Sequence, residues 1–113
     1  MATSALTDIC LDTTRAGAVT RFHCRIPADF RGFEGHFDNN PILPGVFQLK
    51  LVTDGIALID APPKIDRIER MKFHNLILPD TEFVIELEKQ SSGWAYRLHE
   101  NDKVYSSGKI ILR

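Results

Sequence analysis

Pro44-Gly45-Val46-Phe47-Gln48-Leu49-Lys50-Leu51-Val52-Thr53-Asp54-Gly55-Ile56-Ala57-Leu58-Ile59 is the one segment of this 113-residue chain with a strong helical pattern. Proline suits a first helical position, because its missing N–H would lack an intrahelical partner there anyway. Val46, Phe47, Leu49, Leu51, Val52, Ile56, Ala57, Leu58 and Ile59 cover nearly the whole circumference. A helix apolar all round is expected to be buried. Gly55 inside it costs helix stability and predicts close approach by another element. Ala61-Pro62-Pro63 stops the helix.

On either side the pattern is β. Leu6 to Leu11 reads as a short strand, Thr13-Thr14-Arg15-Ala16-Gly17 as a turn, and Ala18 to Ile26 as a second strand paired with the first. Pro27 to Asn40 is a loop. After the helix, Ile65 to Leu78 is one long extended run, and Pro79-Asp80 a turn. Phe83, Ile85 and Leu87 then alternate with Val84, Glu86 and Glu88. Ser91-Ser92-Gly93 and Glu100-Asn101-Asp102 are turns that frame Trp94–Leu98 and lead into Val104–Leu112, so the remainder reads as a meander. One helix wrapped by an antiparallel sheet is an α+β arrangement. Such a sheet covers one face of the helix, so the other face and the sheet edges invite a partner chain.

Length fits a single domain over residues 1–113. Hydrophobic residues at 43% suffice for a core, and a net charge of −1 gives no reason to expect nucleic acid or an anionic membrane as partner. No apolar run approaches the roughly 20 residues of a spanning helix. Met1-Ala2-Thr3-Ser4 lacks the basic-then-apolar pattern of a signal peptide, so a cytoplasmic location is expected. Cys10 and Cys24 match no metal motif and read as reduced thiols on strands. The four histidines form no metal-ligand spacing, and no metal is expected. His23 and His99 read as surface residues on strands.

Immediately before the helix stands Gly35-His36-Phe37-Asp38-Asn39-Asn40-Pro41-Ile42-Leu43-Pro44-Gly45-Val46. A titratable imidazole is held near the first turn of a helix, an arrangement suited to acid/base work on an acyl group. An isolated loop histidine is usually structural or exposed; its place in this run makes His36 a site residue. Gln48 reads as a packing or hydrogen-bonding residue of the helix start. Phe30 and Phe33 read as core.

Gly35-His36-Phe37 followed by Pro41-Ile42-Leu43-Pro44-Gly45-Val46 resembles the signature of the β-hydroxyacyl-acyl-carrier-protein dehydratases. Met71-Lys72-Phe73, Leu78-Pro79-Asp80 and the closing strands fit as well, so the likeness covers nearly the whole chain. The Val46-Phe47-Gln48-Leu49 continuation is nearest to short stand-alone dehydratase-like domains of polyene and polyketide gene clusters. The resemblance implies a hot-dog fold, a curved antiparallel sheet around one long central helix. It implies dehydration of a 3-hydroxyacyl thioester, carried on acyl carrier protein or coenzyme A, to the trans-2-enoyl product. No cofactor is implied, because the thioester carbonyl itself acidifies C2. His36 matches the base that takes the C2 proton, and Gly45 the amide that binds the thioester carbonyl. Phe37, Pro44 and Val46, beside them in the motif, are expected to line the substrate. A homodimer or higher even oligomer is implied, since the acid that expels the hydroxyl usually comes from the other subunit.

That acid lies fourteen positions after the histidine, and here the position is Lys50. A carboxylic acid can protonate a leaving hydroxyl; an ammonium does so only if burial lowers its pKa substantially. Lys50, Asp54 one turn further on, and a bound water are therefore all candidates for the donor. Asp38 stands where the dehydratases commonly have proline. Two other readings stay open: a hot-dog thioesterase using Asp38 or Asp54 to direct water, and a non-catalytic member that binds an acyl carrier or pairs with an active paralogue. Arg67, Arg70 and Lys72 read as the wet face of a strand or as a contact for an acidic carrier.

Overall fold

The computed structural model of the protein describes residues 5–27 and 43–113. The elements run α1 (Ala5–Ile9), β1 (Cys10–Ala16), β2 (Val19–Arg25), α2 (Gly45–Ile59), β3 (Ile65–Phe73), β4 (Glu82–Gln90), β5 (Gly93–Glu100) and β6 (Lys103–Leu112). The six strands form one antiparallel sheet in the order β1-β2-β4-β5-β6-β3. This is the expected α+β hot-dog arrangement.

Alternation decides which face meets the helix. Phe83, Ile85 and Leu87 of β4 point inward with Trp94, Tyr96 and Leu98 of β5 and Phe22 and Cys24 of β2, and all are buried. Against them α2 sets Gln48, Leu51, Val52, Gly55 and Ile56, the spacing of one helical face. A Cβ at Gly55 would lie 2.9 Å from Leu87 Cδ1 and 3.1 Å from the Phe22 ring. The glycine lets the helix sit down on the sheet, as the sequence suggests.

Several expectations need correction. Leu6–Leu11 is not one strand: Ala5–Ile9 is a short helix that buries Leu6 and Ile9, and the strand starts at Cys10. The predicted turn at Thr13–Gly17 is mostly strand, and the reversal falls at Gly17-Ala18. β3 ends at Phe73, short of Leu78. The last four strands are not a simple meander, since β3 pairs with β6 at the far edge while β4 joins β2. Nor is α2 buried all round. The sheet wraps it from one side, leaving Val46 78% and Leu58 53% exposed.

Outside the core face, Glu86 gathers charge. Arg21 Nε donates to its Oε1 at 3.0 Å, Arg97 Nη2 lies 3.5 Å away and His99 Nε2 3.3 Å away. His99 is thus half-buried beside a carboxylate rather than a surface residue. Burial alone would raise the Glu86 carboxyl; Arg97, Arg21 and His99 outweigh it and hold the group below its ordinary value of 4.5. A depressed folded-state pKa adds stability that is present above the unfolded value and lost as pH falls through the folded one. The stability advantage of the protein over Glu86→Gln is therefore expected to be full above pH 4.5 and to shrink below it, as urea titrations at several pH values would register.

Candidate functional site

The site is built at the start of α2. Leu43 is buried; its amide donates to the Ile77 carbonyl at 2.9 Å and its carbonyl accepts from Gln48 Nε2 at 3.1 Å. Gln48 Oε1 accepts from Ser106 Oγ of β6 at 2.7 Å, and both residues are buried. This relay clamps the chain just before the helix between β6 and the segment after β3. Truncating Gln48 to alanine strands the Leu43 carbonyl and the Ser106 hydroxyl. The expected loss is about 2–4 kcal/mol in denaturant unfolding. Ser106 has no local signal in the sequence, because its partner is 58 residues away.

Pro44 lies one residue outside the helix rather than in its first position. Its backbone is extended and its carbonyl accepts from both Phe47 and Gln48 N–H at 3.0 Å. The Gln48 bond is the first regular i→i−4 bond of the helix, and the Phe47 bond occupies one of the amides that a helix start otherwise leaves without a partner. The Gly45 and Val46 amides donate to nothing among the described residues. Among the described residues no side chain caps this end, and its first turn holds no acidic residue. Two N–H groups and the positive end of a 15-residue helix are thus available to an oxygen that gathers negative charge.

The Phe73 ring, at the end of β3, closes over this point. A Cβ at position 45 would lie 2.6 Å from Phe73 Cζ, so a larger residue there would push the ring aside. Phe73 is itself half-exposed, as are Leu76, Leu78 and Met71 nearby in sequence. An apolar wall stands next to these amides, a feature without a local signal in the sequence.

Val46 and Lys50 lie four residues apart and so share the uncovered face of α2. Lys50 is 54% exposed, so the burial it would need to act as an acid is not provided by this chain's described residues. Its ammonium lies 3.7 Å from Asp54 Oδ1. Asp54 turns its other oxygen to the Leu6 amide at 3.4 Å, acting as a remote cap for α1. The carboxylate that sequence offered as an alternative acid is thus engaged in holding α1 to α2. His36, Phe37 and Asp38 lie outside the described residues.

Of the basic residues on β3, Arg67 is neutralised by Asp66 and Glu69. Arg70 and Lys72 line a shallow cleft with Lys109 on the outer face of the sheet. Among the described residues these three have no ion-pair partner. No helix is long and apolar enough to cross a membrane among the described residues.

Comparison with known proteins agrees with this geometry. The chain superimposes on the dehydratase heterocomplex ApeI:P from Xenorhabdus doucetiae with a TM-score of 0.84, at 24% identity, covering 92% of this chain and 96% of that one. An uncharacterised protein from Erwinia carotovora subsp. atroseptica is 29% identical, with a TM-score of 0.69 and 90% of each chain covered. The dehydratase domain of MlnD from Bacillus amyloliquefaciens is 17% identical, with a TM-score of 0.66; 96% of this chain matches 44% of that one. The profile of the ApeI-like family, described as ApeI dehydratase, matches residues 12–109, from β1 almost to the end of β6. Matched by that profile over most of its length, the chain belongs to the ApeI-like dehydratase family.

Proposed function

We propose that the protein dehydrates a 3-hydroxyacyl thioester, presented on an acyl carrier protein or coenzyme A, to the trans-2-enoyl thioester. The observation that carries this reading is the pair of amides at Gly45 and Val46, without a partner among the described residues, with Phe73 over Gly45 and directly after a motif containing His36. The thioester carbonyl would accept from the Gly45 amide. As His36 removes the C2 proton, negative charge grows on that oxygen and the helix start stabilises it. The C3 hydroxyl then leaves as water once protonated. Pro44, Phe37 and Val46 would line the acyl group. Arg70, Lys72 and Lys109 offer a surface of the sign that an acidic carrier needs. Incubation with a 3-hydroxyacyl thioester, following enoyl absorbance and free thiol together, tests the reaction. Enoyl formation without thiol release is expected. Thiol release without enoyl formation would replace this reading with hydrolysis.

The acid is best sought on a second chain. Lys50 stands on the uncovered helix face, and Asp54 is committed to α1. A partner with the same fold, laid against that face and the β3 edge, would bring its own helix carboxylate to the substrate. That the similar ApeI chain was solved as part of a dehydratase heterocomplex supports an unlike partner over a homodimer. Lys50→Glu should then raise dehydration by the protein on its own. Losing the exposed Lys50–Asp54 pair costs at most about 0.5 kcal/mol. A folded, substrate-binding Lys50→Glu protein with no gain would remove Lys50 from the acid position.

A further inference from the structure

Cys10 and Cys24 stand directly opposite each other in the β1–β2 ladder. A bulge makes them do so. From Ala16 back to Asp12 the pairing is regular, with Thr13 opposite Phe22 and Asp12 opposite His23. Carried back unbroken, it would set Leu11 against Cys24. The register instead shifts between Cys10 and Asp12, so Cys10 takes the place opposite Cys24 and Leu11 is left exposed. Re-aiming a side chain is what an added strand residue does.

We propose that Cys10 and Cys24 form a reversible thiol–disulfide pair that fastens β1 to β2. Directly opposed Cα atoms in an antiparallel pair stand about 4.5–5.5 Å apart, inside the roughly 4.4–6.8 Å a disulfide spans. Both thiols are free, and as directly opposed residues of an antiparallel pair they share one face of the sheet. They differ in access. Cys24 is buried, while Cys10 is partly exposed with its sulfur 3.4 Å from the Asp12 carbonyl oxygen and 3.6 Å from Thr13 Oγ1. Burial, and then the neighbouring Cys10, push the Cys24 thiol well above its ordinary range. The order of events follows. The Cys10 thiolate attacks a low-molecular-weight disulfide, forming a mixed disulfide and releasing one thiolate. Cys24, once deprotonated, attacks the Cys10 sulfur and releases the second. Two protein thiols become one disulfide while the oxidant's two sulfurs take up two electrons and both protons. Cys10 directly follows α1, whose Leu6 amide reaches Asp54. The bridge therefore also fixes the peptide that carries α1 against α2.

Oxidised glutathione added to the native protein tests this, read by intact mass and by peptide mapping after alkylation. Expected are a transient mixed adduct on Cys10, then loss of two hydrogen masses, a Cys10–Cys24 peptide, and a Tm raised by at least about 5 °C that dithiothreitol reverses. Cys24→Ser should stop at the adduct, and Cys10→Ser should stay unmodified. An adduct on the unmutated protein that never resolves, a disulfide only between molecules, or modification beginning at Cys24 would each overturn the proposal. The mapping of the unmutated protein decides the matter even if a variant fails to fold.

Discussion

His36→Ala is expected to lower enoyl formation by about 10²–10⁴-fold while leaving the affinity for an unreactive thioester analogue unchanged. In the proposed reaction the base would act on the C2 proton, whereas the carbonyl would be held by groups other than His36. Those groups are the Gly45 amide, the helix start behind it and the Phe73 wall. A fall in kcat with constant binding is the signature of a group that works in the transition state. Unfolding by urea should be unaffected, because the clamp at Leu43, Gln48 and Ser106 fixes the helix start independently. An unchanged rate would place the chemistry on another residue. An unchanged rate together with thiol release would favour the hydrolytic alternative.

The largest expected effect on stability is at Gly93, the first residue of β5, which lies between Gln90 of β4 and Ile111 of β6. A Cβ there would stand 1.9 Å from the Ile110 carbonyl oxygen, a backbone atom in the neighbouring strand. A flexible side chain could swing away; a central strand cannot do so without disturbing its ladder. The residue's φ of 155° adds to the difficulty. Gly93→Ala should cost about 3–5 kcal/mol and lower Tm by roughly 15–25 °C. Gly17→Ala is the control: its φ is 61°, and nothing lies within 4 Å of the added carbon. Only the backbone preference remains there, about 1–2 kcal/mol. Thermal scans of the two variants side by side would separate the clash from the backbone term.

The contrast between what the sequence revealed and what it did not has physical causes. The helix, the contact at Gly55 and the inward set Phe83, Ile85 and Leu87 were legible, because periodicity and burial are local signals. α1 was not, since five residues are too few for a helix to announce itself; packing on α2 and the Asp54 carboxylate hold it. The pairing of β3 with β6 was equally hidden, as alternation gives faces but not neighbours. Val46 and Leu58 were read as buried because apolar residues all round a helix do not say which chain covers each face. At the candidate site, the motif singles out Gly45. Phe73, whose ring lies over that glycine, and Ser106, which anchors Gln48, were not legible, because both reach the helix start from distant strands. Lys50 was legible as a departure. Only the structure showed it exposed and paired with Asp54, which turns the question of the acid toward a second chain.

The most direct test is a crystal structure with a 3-hydroxyacyl pantetheine amide, an unreactive stand-in for the thioester, measuring where its carbonyl oxygen lies. The account predicts that oxygen about 2.7–3.2 Å from the Gly45 amide nitrogen, with the His36 ring facing C2 and the acyl chain against Phe73. A carbonyl bound away from the start of α2, with the Gly45 and Val46 amides left to water, would contradict it.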